Sequence, residues 1–187
     1  GFCDVPGPRT VVFYPEDGVS DVQKAQMQTQ RGGKVRVCAV RGNFDDAQTG
    51  VKAIFADDRE HRWAAQAKTR LSSANSINLG RLAPQVAYYF KSYMDLVRRG
   101  EIAMGEEVNF VVPTGNFGDI LAGDFARRMG LPVAKLICAS NANNVLTAFI
   151  RTGLYDRRRA FHKTASPSMD ILVSSNLERY LYLESGR

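Results

Sequence analysis

The stretch from residue 108 to residue 138 limits the possible folds of this chain more than any other. Val108–Val112 is a nearly continuous apolar segment, typical of a parallel strand covered on both faces. After a glycine-containing loop, apolar residues recur every three or four positions over residues 117–129, which predicts an amphipathic helix. Val133–Cys138 is a second apolar segment of strand length. Strand, helix and strand within about 30 residues predict a parallel unit with a right-handed crossover.

The same alternation of strands and helices continues outside this stretch. It predicts an α/β fold with parallel sheets flanked by helices. Pro84 lies inside the longest predicted helix and is expected to bend it, because proline has no N–H group to donate. The other predicted strands span residues 10–14 and 35–40, and the other predicted helices span residues 20–31, 45–56, 61–67, 77–97, 145–151 and 171–183.

Composition and charge narrow the function classes. The 187 residues are 44% hydrophobic, which supports a packed core and excludes a disordered chain. The net charge of +6 suits an anionic small molecule or a nucleic acid. No apolar run approaches the roughly 18 residues of a membrane span, so no membrane association is expected.

The three cysteines indicate a reducing compartment. Cys3, Cys38 and Cys138 are odd in number and widely separated, and they have no C-x-x-C spacing. Neither a disulfide framework nor a metal site is therefore expected. Cys38 and Cys138 lie in apolar strands and are expected in the core. These features predict a cytoplasmic protein.

The loop between the central strand and its helix has the composition of an anion site. Gly115 and Gly118 allow the backbone to approach a ligand closely, and the following helix begins with unpaired N–H groups at its positive end. Gly-x-x-Gly also occurs in ordinary tight turns, so the spacing alone leaves phosphate binding and a structural turn both open. The loop matches neither the dinucleotide pattern G-x-G-x-x-G nor a nucleotide P-loop, since no Lys-Ser or Lys-Thr pair follows.

Three motifs in order carry a family resemblance. They are SSANSINLGRLAPQVAYYF, VNFVVPTGNFGDILAGDFARRMGLPV and SPSMDILVSSNLERYL. Together they resemble bacterial threonine synthase of the longer microbial type. The resemblance covers nearly the whole chain but only the middle of the usual length of the family, so the chain is expected to be a fragment.

The resemblance implies a fold and an activity. Members are fold-type-II pyridoxal-phosphate enzymes, of the tryptophan-synthase-β type, with two αβα units. They are carbon–oxygen lyases acting on phosphates, which convert O-phospho-L-homoserine and water to L-threonine and phosphate in threonine biosynthesis. In this chain, residues 1–68 would be part of the smaller unit and residues 69–187 part of the larger cofactor-binding unit.

The resemblance also implies the site residues. The cofactor phosphate would be held by the loop through its backbone amides, and Thr114 would add a hydroxyl. The loop residues are Gly115, Asn116, Phe117, Gly118 and Asp119. The substrate would meet the polar start of the long helix, at Asn75, Ser76 and Asn78. These three side chains could equally be helix caps.

The family's Schiff-base lysine is expected upstream of Gly1, because no lysine of this chain has the matching context. The chain alone is therefore predicted to be inactive and to self-associate through uncovered apolar surface. Two other functions remain open, a non-catalytic phosphate- or nucleotide-binding module and a related pyridoxal-phosphate lyase such as threonine dehydratase. The Arg157–Arg159 run is expected to be a solvated face, so no nucleic-acid partner is predicted. Asn141, Asn143 and Asn144 could be ligand contacts or turn formers.

Overall fold

The structure is a computed structural model that describes residues 5–75 and 78–186. The chain divides into two compact units, Gly1–Leu71 and Ser72–Arg187. Each unit contains one two-stranded parallel sheet. The predicted α/β class is confirmed.

The first unit is a parallel strand pair connected by a helix. Ser20 begins that helix with a capping box, since its hydroxyl accepts from the backbone of Gln23 while the Gln23 side chain accepts from the Ser20 N–H. The strands pair in register from Thr10 opposite Val35 to Pro15 opposite Val40. The elements are β1 (Thr10–Pro15), α1 (Asp21–Gln28), β2 (Val35–Val40), α2 (Phe44–Ala56) and α3 (Asp58–Gln66).

The second unit contains the predicted strand–helix–strand motif. Its elements are α4 (Leu79–Leu82), a 3₁₀ turn (Ala83–Gln85), α5 (Val86–Arg98), β3 (Val108–Pro113), α6 (Gly118–Arg128), β4 (Val133–Ala139), α7 (Val145–Thr152), a 3₁₀ turn (Pro167–Met169) and α8 (Leu177–Glu184). Strands β3 and β4 are parallel, with a register shift after Val108. Both strands of the motif and the helix between them lie close to where the sequence predicts them.

The core of the second unit lies on one face of the β3–β4 sheet. Helices α5 and α6 pack together there, and Tyr89, Tyr93 and Leu121 are buried between them and the sheet. On the other face, Val111 and Ile137 are paired neighbours and are 64% and 42% exposed. The expectation that β3 is covered on both faces is therefore wrong for this chain, because the described elements cover one face only.

Three other expectations need correction. The long helix is interrupted at Pro84, so that α5 begins at Val86; its predicted start at Ile77 lies outside the described residues. Helix α8 begins at Leu177 and not at residue 171, because the segment before it bonds to a distant loop. Cys38 is exposed, since its strand pairs in a sheet that is open on one side, whereas Cys138 is half-buried against the core.

Within residues 5–75 and 78–186, no helix is both long and apolar enough to cross a membrane. The same described ranges contain no cluster of three or more His, Cys, Asp or Glu side chains suited to a metal ion.

Gly123 is a position where the helix packing tolerates no side chain. A Cβ atom there would lie 2.7 Å from the ring of Tyr89 and 3.0 Å from Cδ2 of Leu136. We expect Gly123→Ala to lower the free energy of unfolding of the second unit by about 1–3 kcal/mol, because the added methyl group overpacks the core. Urea unfolding followed by circular dichroism measures this.

Gly50→Ala is the matched control, since Gly50 also lies inside a helix but a Cβ atom there would meet nothing within 4 Å. This variant should gain up to about 1 kcal/mol from helix propensity. Equal stability of the two variants would contradict the packing described for Gly123.

Candidate anion-binding site

The turn from β3 into α6 ends in an uncommon backbone conformation. Phe117 precedes the first turn of α6 with φ 63° and ψ 9°, the left-handed region that a bulky residue rarely adopts. No side chain caps this helix. Turns that combine a left-handed residue with a following helical residue can direct successive N–H groups to one side, where they suit an anion. The positive end of the α6 dipole adds to that preference.

Thr114 is buried at the end of β3, and its hydroxyl is used within the protein. The hydroxyl donates to the Val112 carbonyl at 2.7 Å, and the Thr114 N–H donates to the Ala139 carbonyl at 2.8 Å. These bonds fix the start of the turn against β4. The proton of the Thr114 hydroxyl is therefore directed at the strand and not at a ligand.

Gly115 is required by a close contact that the sequence did not reveal. A Cβ atom at this position would lie 3.1 Å from Cα of Met169 and 3.2 Å from Cδ1 of Ile171. Neither Gly115 nor Gly118 has a positive φ. At Gly115, the missing side chain thus lets the loop pack against the segment around the second 3₁₀ turn.

The three residues before α8 bond to the turn. The Ser174 hydroxyl donates to the Gly115 carbonyl at 2.5 Å, and the Ser175 N–H and hydroxyl both donate to Oδ1 of Asn116 at 2.7 Å. The Asn176 N–H and Nδ2 donate to the Asn116 carbonyl at 3.2 and 3.1 Å. Residues 174–176, which we call the clamp, belong to the third sequence motif, where no role was predicted for them.

Asp119 lies in the first turn of α6 and turns toward α5. The Tyr89 hydroxyl donates to the Asp119 carbonyl at 2.8 Å and also lies 3.3 Å from its carboxylate. Asp119 as a whole is exposed, but the protein partly desolvates its carboxyl group, and this desolvation raises the pKa of Asp119. The hydrogen bond from Tyr89 acts in the opposite direction and lowers that pKa. Burial, together with the charge of Asp119, raises the pKa of Tyr89.

A second polar cluster fixes the segment that Gly115 packs against. Oδ1 of Asp170 accepts from Nδ2 of Asn141 and Asn143 at 2.7 and 3.0 Å, and its carboxylate accepts from the N–H and hydroxyl of Thr164 at 2.8 and 2.7 Å. Asn143 also bonds to both main-chain groups of His162. Burial alone would raise the pKa of Asp170, but these hydrogen bonds outweigh it and hold the pKa below its ordinary value.

The asparagines after β4 therefore have structural partners. Asn141 and Asn143 hold Asp170, and Oδ1 of Asn144 accepts from Arg159 at 2.9 Å. Of the two interpretations left open by the sequence, these contacts favour turn formation.

The predicted substrate residues lie at the start of α4. The Asn78 side chain caps α4 by accepting from the Gly80 N–H at 2.9 Å, and its Nδ2 donates to the Ser73 carbonyl at 2.9 Å. The N–H of Asn75 donates to the Ser73 hydroxyl at 3.1 Å. Ser76 lies outside the described residues.

Asp170 provides a pH-dependent test of the second cluster. We expect Asp170→Asn to lower the free energy of unfolding at pH 7 by about 1–3 kcal/mol, because an amide replaces a carboxylate that accepts from four donors. Since folding lowers the pKa of Asp170, its stabilising contribution is present above the ordinary value of 3.8 and is lost as the pH falls through the folded-state value. Thermal unfolding from pH 7 to pH 3 should therefore show the difference between variant and parent shrinking.

Asp156→Asn is the control, because asparagine keeps the acceptor that Asp156 offers to the Arg158 N–H at 2.9 Å. A difference between Asp170→Asn and its parent that stays constant over this pH range would contradict the role given to Asp170.

Comparison with known proteins shows which proteins the chain is similar to. No protein-family model matches it. The human protein described as threonine synthase-like 1 is 52% identical over 182 residues, which are 95% of this chain and 24% of the human protein. The crystal structure of pyridoxal-phosphate-bound threonine synthase from Brucella melitensis has a TM-score of 0.75 and 44% identity, and the match covers 96% of this chain and 36% of that one. For Escherichia coli threonine synthase the TM-score is 0.81 and the identity 33%, over 97% of this chain and 40% of that one.

This chain thus spans about a quarter to two fifths of the length of these relatives. High identity over nearly all of the chain agrees with the three motifs and with the parallel α/β architecture. Over nearly its whole length, this chain is therefore similar to one part of the threonine synthases.

Proposed function

We propose that this chain is the part of a threonine synthase that binds the phosphate group of pyridoxal phosphate at residues 114–119. The observation that carries the proposal is the left-handed turn at Phe117, which opens onto the uncapped start of α6. The whole enzyme would convert O-phospho-L-homoserine and water to L-threonine and phosphate. The pyridoxal phosphate bound to the Brucella melitensis relative supports the choice of cofactor.

The residues of the turn fit a phosphate group by their main chain. The first N–H groups of α6 have no partner within the helix, so a phosphate oxygen can accept from them. The side chains of Thr114, Asn116 and Asp119 are each engaged by the protein. We therefore assign the anion contacts to backbone N–H groups from Asn116 to Asp119.

Within this chain, the role of the turn is to bind and orient the cofactor. Pyridoxal phosphate, when bound, supplies an electron sink for carbanion chemistry. The turn would fix the phosphate end, while the bonds from Thr114 to Val112 and Ala139 keep the turn in line with the sheet. Residues of the whole enzyme outside this chain would then hold the reacting end.

The remaining predictions about the whole protein are also proposals. We infer that residues 1–68 belong to the smaller αβα unit and residues 69–187 to the larger one, a boundary close to the division of the chain between Leu71 and Ser72. Contact between the substrate and Asn75, Ser76 or Asn78 stays a prediction, and Asn78 would have to combine it with its capping bond. The cytoplasmic location, self-association of the chain and the lack of nucleic-acid or membrane partners also stay predictions.

Gly118→Val tests the anion site. Inorganic phosphate should raise the melting temperature of the 187-residue chain, because a ligand that binds only the folded state stabilises it. The β-branched side chain at the first residue of α6 should remove this shift by blocking approach to the helix N–H groups. Differential scanning fluorimetry measures both shifts, with sodium chloride at matched ionic strength as the control for screening. A phosphate-specific shift that is equal in variant and parent would contradict the assignment.

The chain alone should bind cofactor weakly and should not turn over substrate. Covalent pyridoxal-phosphate chemistry needs a lysine amine held at the cofactor, and loss of such positioning can cost roughly 7–11 kcal/mol of the barrier. We expect no phosphate release from O-phosphohomoserine above a blank, and no cofactor absorbance that survives dialysis. Release well above the blank, together with stoichiometric retained absorbance, would show that a lysine of this chain performs the chemistry.

A further inference from the structure

Beyond the turn itself, the clamp of residues 174–176 has an arrangement that the proposed function leaves unexplained. The two carbonyl groups that precede the left-handed residue, those of Gly115 and Asn116, both accept hydrogen bonds from the clamp. These partners are about 60 residues away along the chain, at separations of 59 and 60. Ser174 is 5% exposed and Asn176 is 1% exposed, so both bonds are shielded from water.

Peptide geometry gives these bonds a consequence for the anion site. A trans peptide unit is planar, and its C=O and N–H groups point in opposite directions. The described residues contain no cis peptide bond. When the clamp holds the Asn116 carbonyl, the N–H of Phe117 must point to the opposite side. The bond from Ser174 to the Gly115 carbonyl fixes the preceding peptide unit, which carries the N–H of Asn116, in the same way.

We propose that Ser174, Ser175 and Asn176 are positioning residues that orient the backbone N–H groups of the turn toward a bound phosphate. This inference rests on the proposed function, since it concerns the same anion site. Ser175 acts through the Asn116 side chain, whose Oδ1 accepts two hydrogen bonds from it. The three residues lie directly before α8, and together they bond to the main-chain oxygens of Gly115 and Asn116 and to Oδ1 of Asn116.

Other contacts keep α8 in place when a single clamp bond is removed. The Phe117 ring packs against Tyr180 with 5.6 Å between centroids, and Arg128 pairs with Glu184 at the far end of α8. A clamp variant should therefore keep the fold, while the peptide units before Phe117 lose their fixed orientation. Loss of anion affinity without loss of folding is the signature that separates a positioning role from a merely structural one.

Ser174→Ala and Ser175→Ala test the proposal. Inorganic phosphate is titrated into the 187-residue chain by isothermal calorimetry, at a temperature where circular dichroism shows each variant to be folded. We expect Ser174→Ala to weaken phosphate binding roughly three- to tenfold, because it removes one hydrogen bond. Without that bond, the peptide unit that carries the N–H of Asn116 is no longer held in its orientation. Ser175→Ala should weaken it roughly two- to threefold, because the Ser175 N–H bond to Asn116 remains.

Ser185→Ala is the matched control. It also removes a serine hydroxyl that donates to a carbonyl, that of Tyr182 at 2.8 Å, but it lies at the exposed end of α8 away from the turn. Its phosphate affinity should equal that of the parent. If Ser174→Ala fails to fold, Ser175→Ala decides the outcome by itself.

The outcomes separate the two proposals. If the parent binds phosphate and the folded clamp variants bind it equally well, the positioning role is overturned and the anion site stands. If the parent binds no phosphate, the proposed function is overturned, and the positioning inference falls with it. Weaker binding in Ser185→Ala to the same extent as in the clamp variants would also overturn the positioning role.

Discussion

The arrangement of the second unit around the start of α6 depends on the left-handed backbone conformation of Phe117. A non-glycine residue in this region is strained, by about 1–3 kcal/mol, and such strain persists only where the surrounding structure imposes it. Here the Phe117 side chain is 8% exposed and packs on Tyr180, so burial offsets the strain. The clamp holds the preceding carbonyls, and the chain then enters α6 without a side-chain cap. The strain and the proposed anion site thus have the same origin.

Helix α6 connects this turn to the rest of the core. At its buried face, Gly123 lets Tyr89 approach closely enough that the tyrosine hydroxyl reaches Asp119 one turn earlier. At its far end, the buried Asp124 pairs with Arg127 and Arg128 at 2.6 and 2.7 Å. A fully buried carboxylate would be costly without such partners. Arg128 also pairs with Glu184 of α8, so the far end of α6 is linked to α8, while the hydrogen bond from Tyr89 links its start to α5.

The strands, helices and helix ends that depend on local residue patterns could be predicted from the sequence. The apolar runs located β3 and β4, the spacing of apolar residues located α6, and Ser20 and Gly153 marked helix ends correctly. The clamp could not be predicted, because its bonds join residues 59 apart and no periodicity records them. Cys38 was misplaced for a related reason, since an apolar strand is buried only where another element covers it. The position of the glycine loop was predicted, but the packing of Gly115 against Met169 needed the structure.

The proposed recognition through main-chain groups would limit what this turn can contribute to ligand specificity. The polar side chains of the turn already form hydrogen bonds within the protein. Thr114 bonds to Val112, Asn116 to Ser175 and Asp119 to Tyr89. What remains is a set of N–H groups at a helix start, which responds to negative charge and tetrahedral shape and not to the rest of a molecule. The carboxylate of Asp119 beside them would oppose any anion, and its raised pKa reduces that opposition only toward acid pH. If the turn binds phosphate as we propose, discrimination between phosphorylated ligands must come from residues outside it, while the turn and its clamp would set how firmly the shared phosphate group is held.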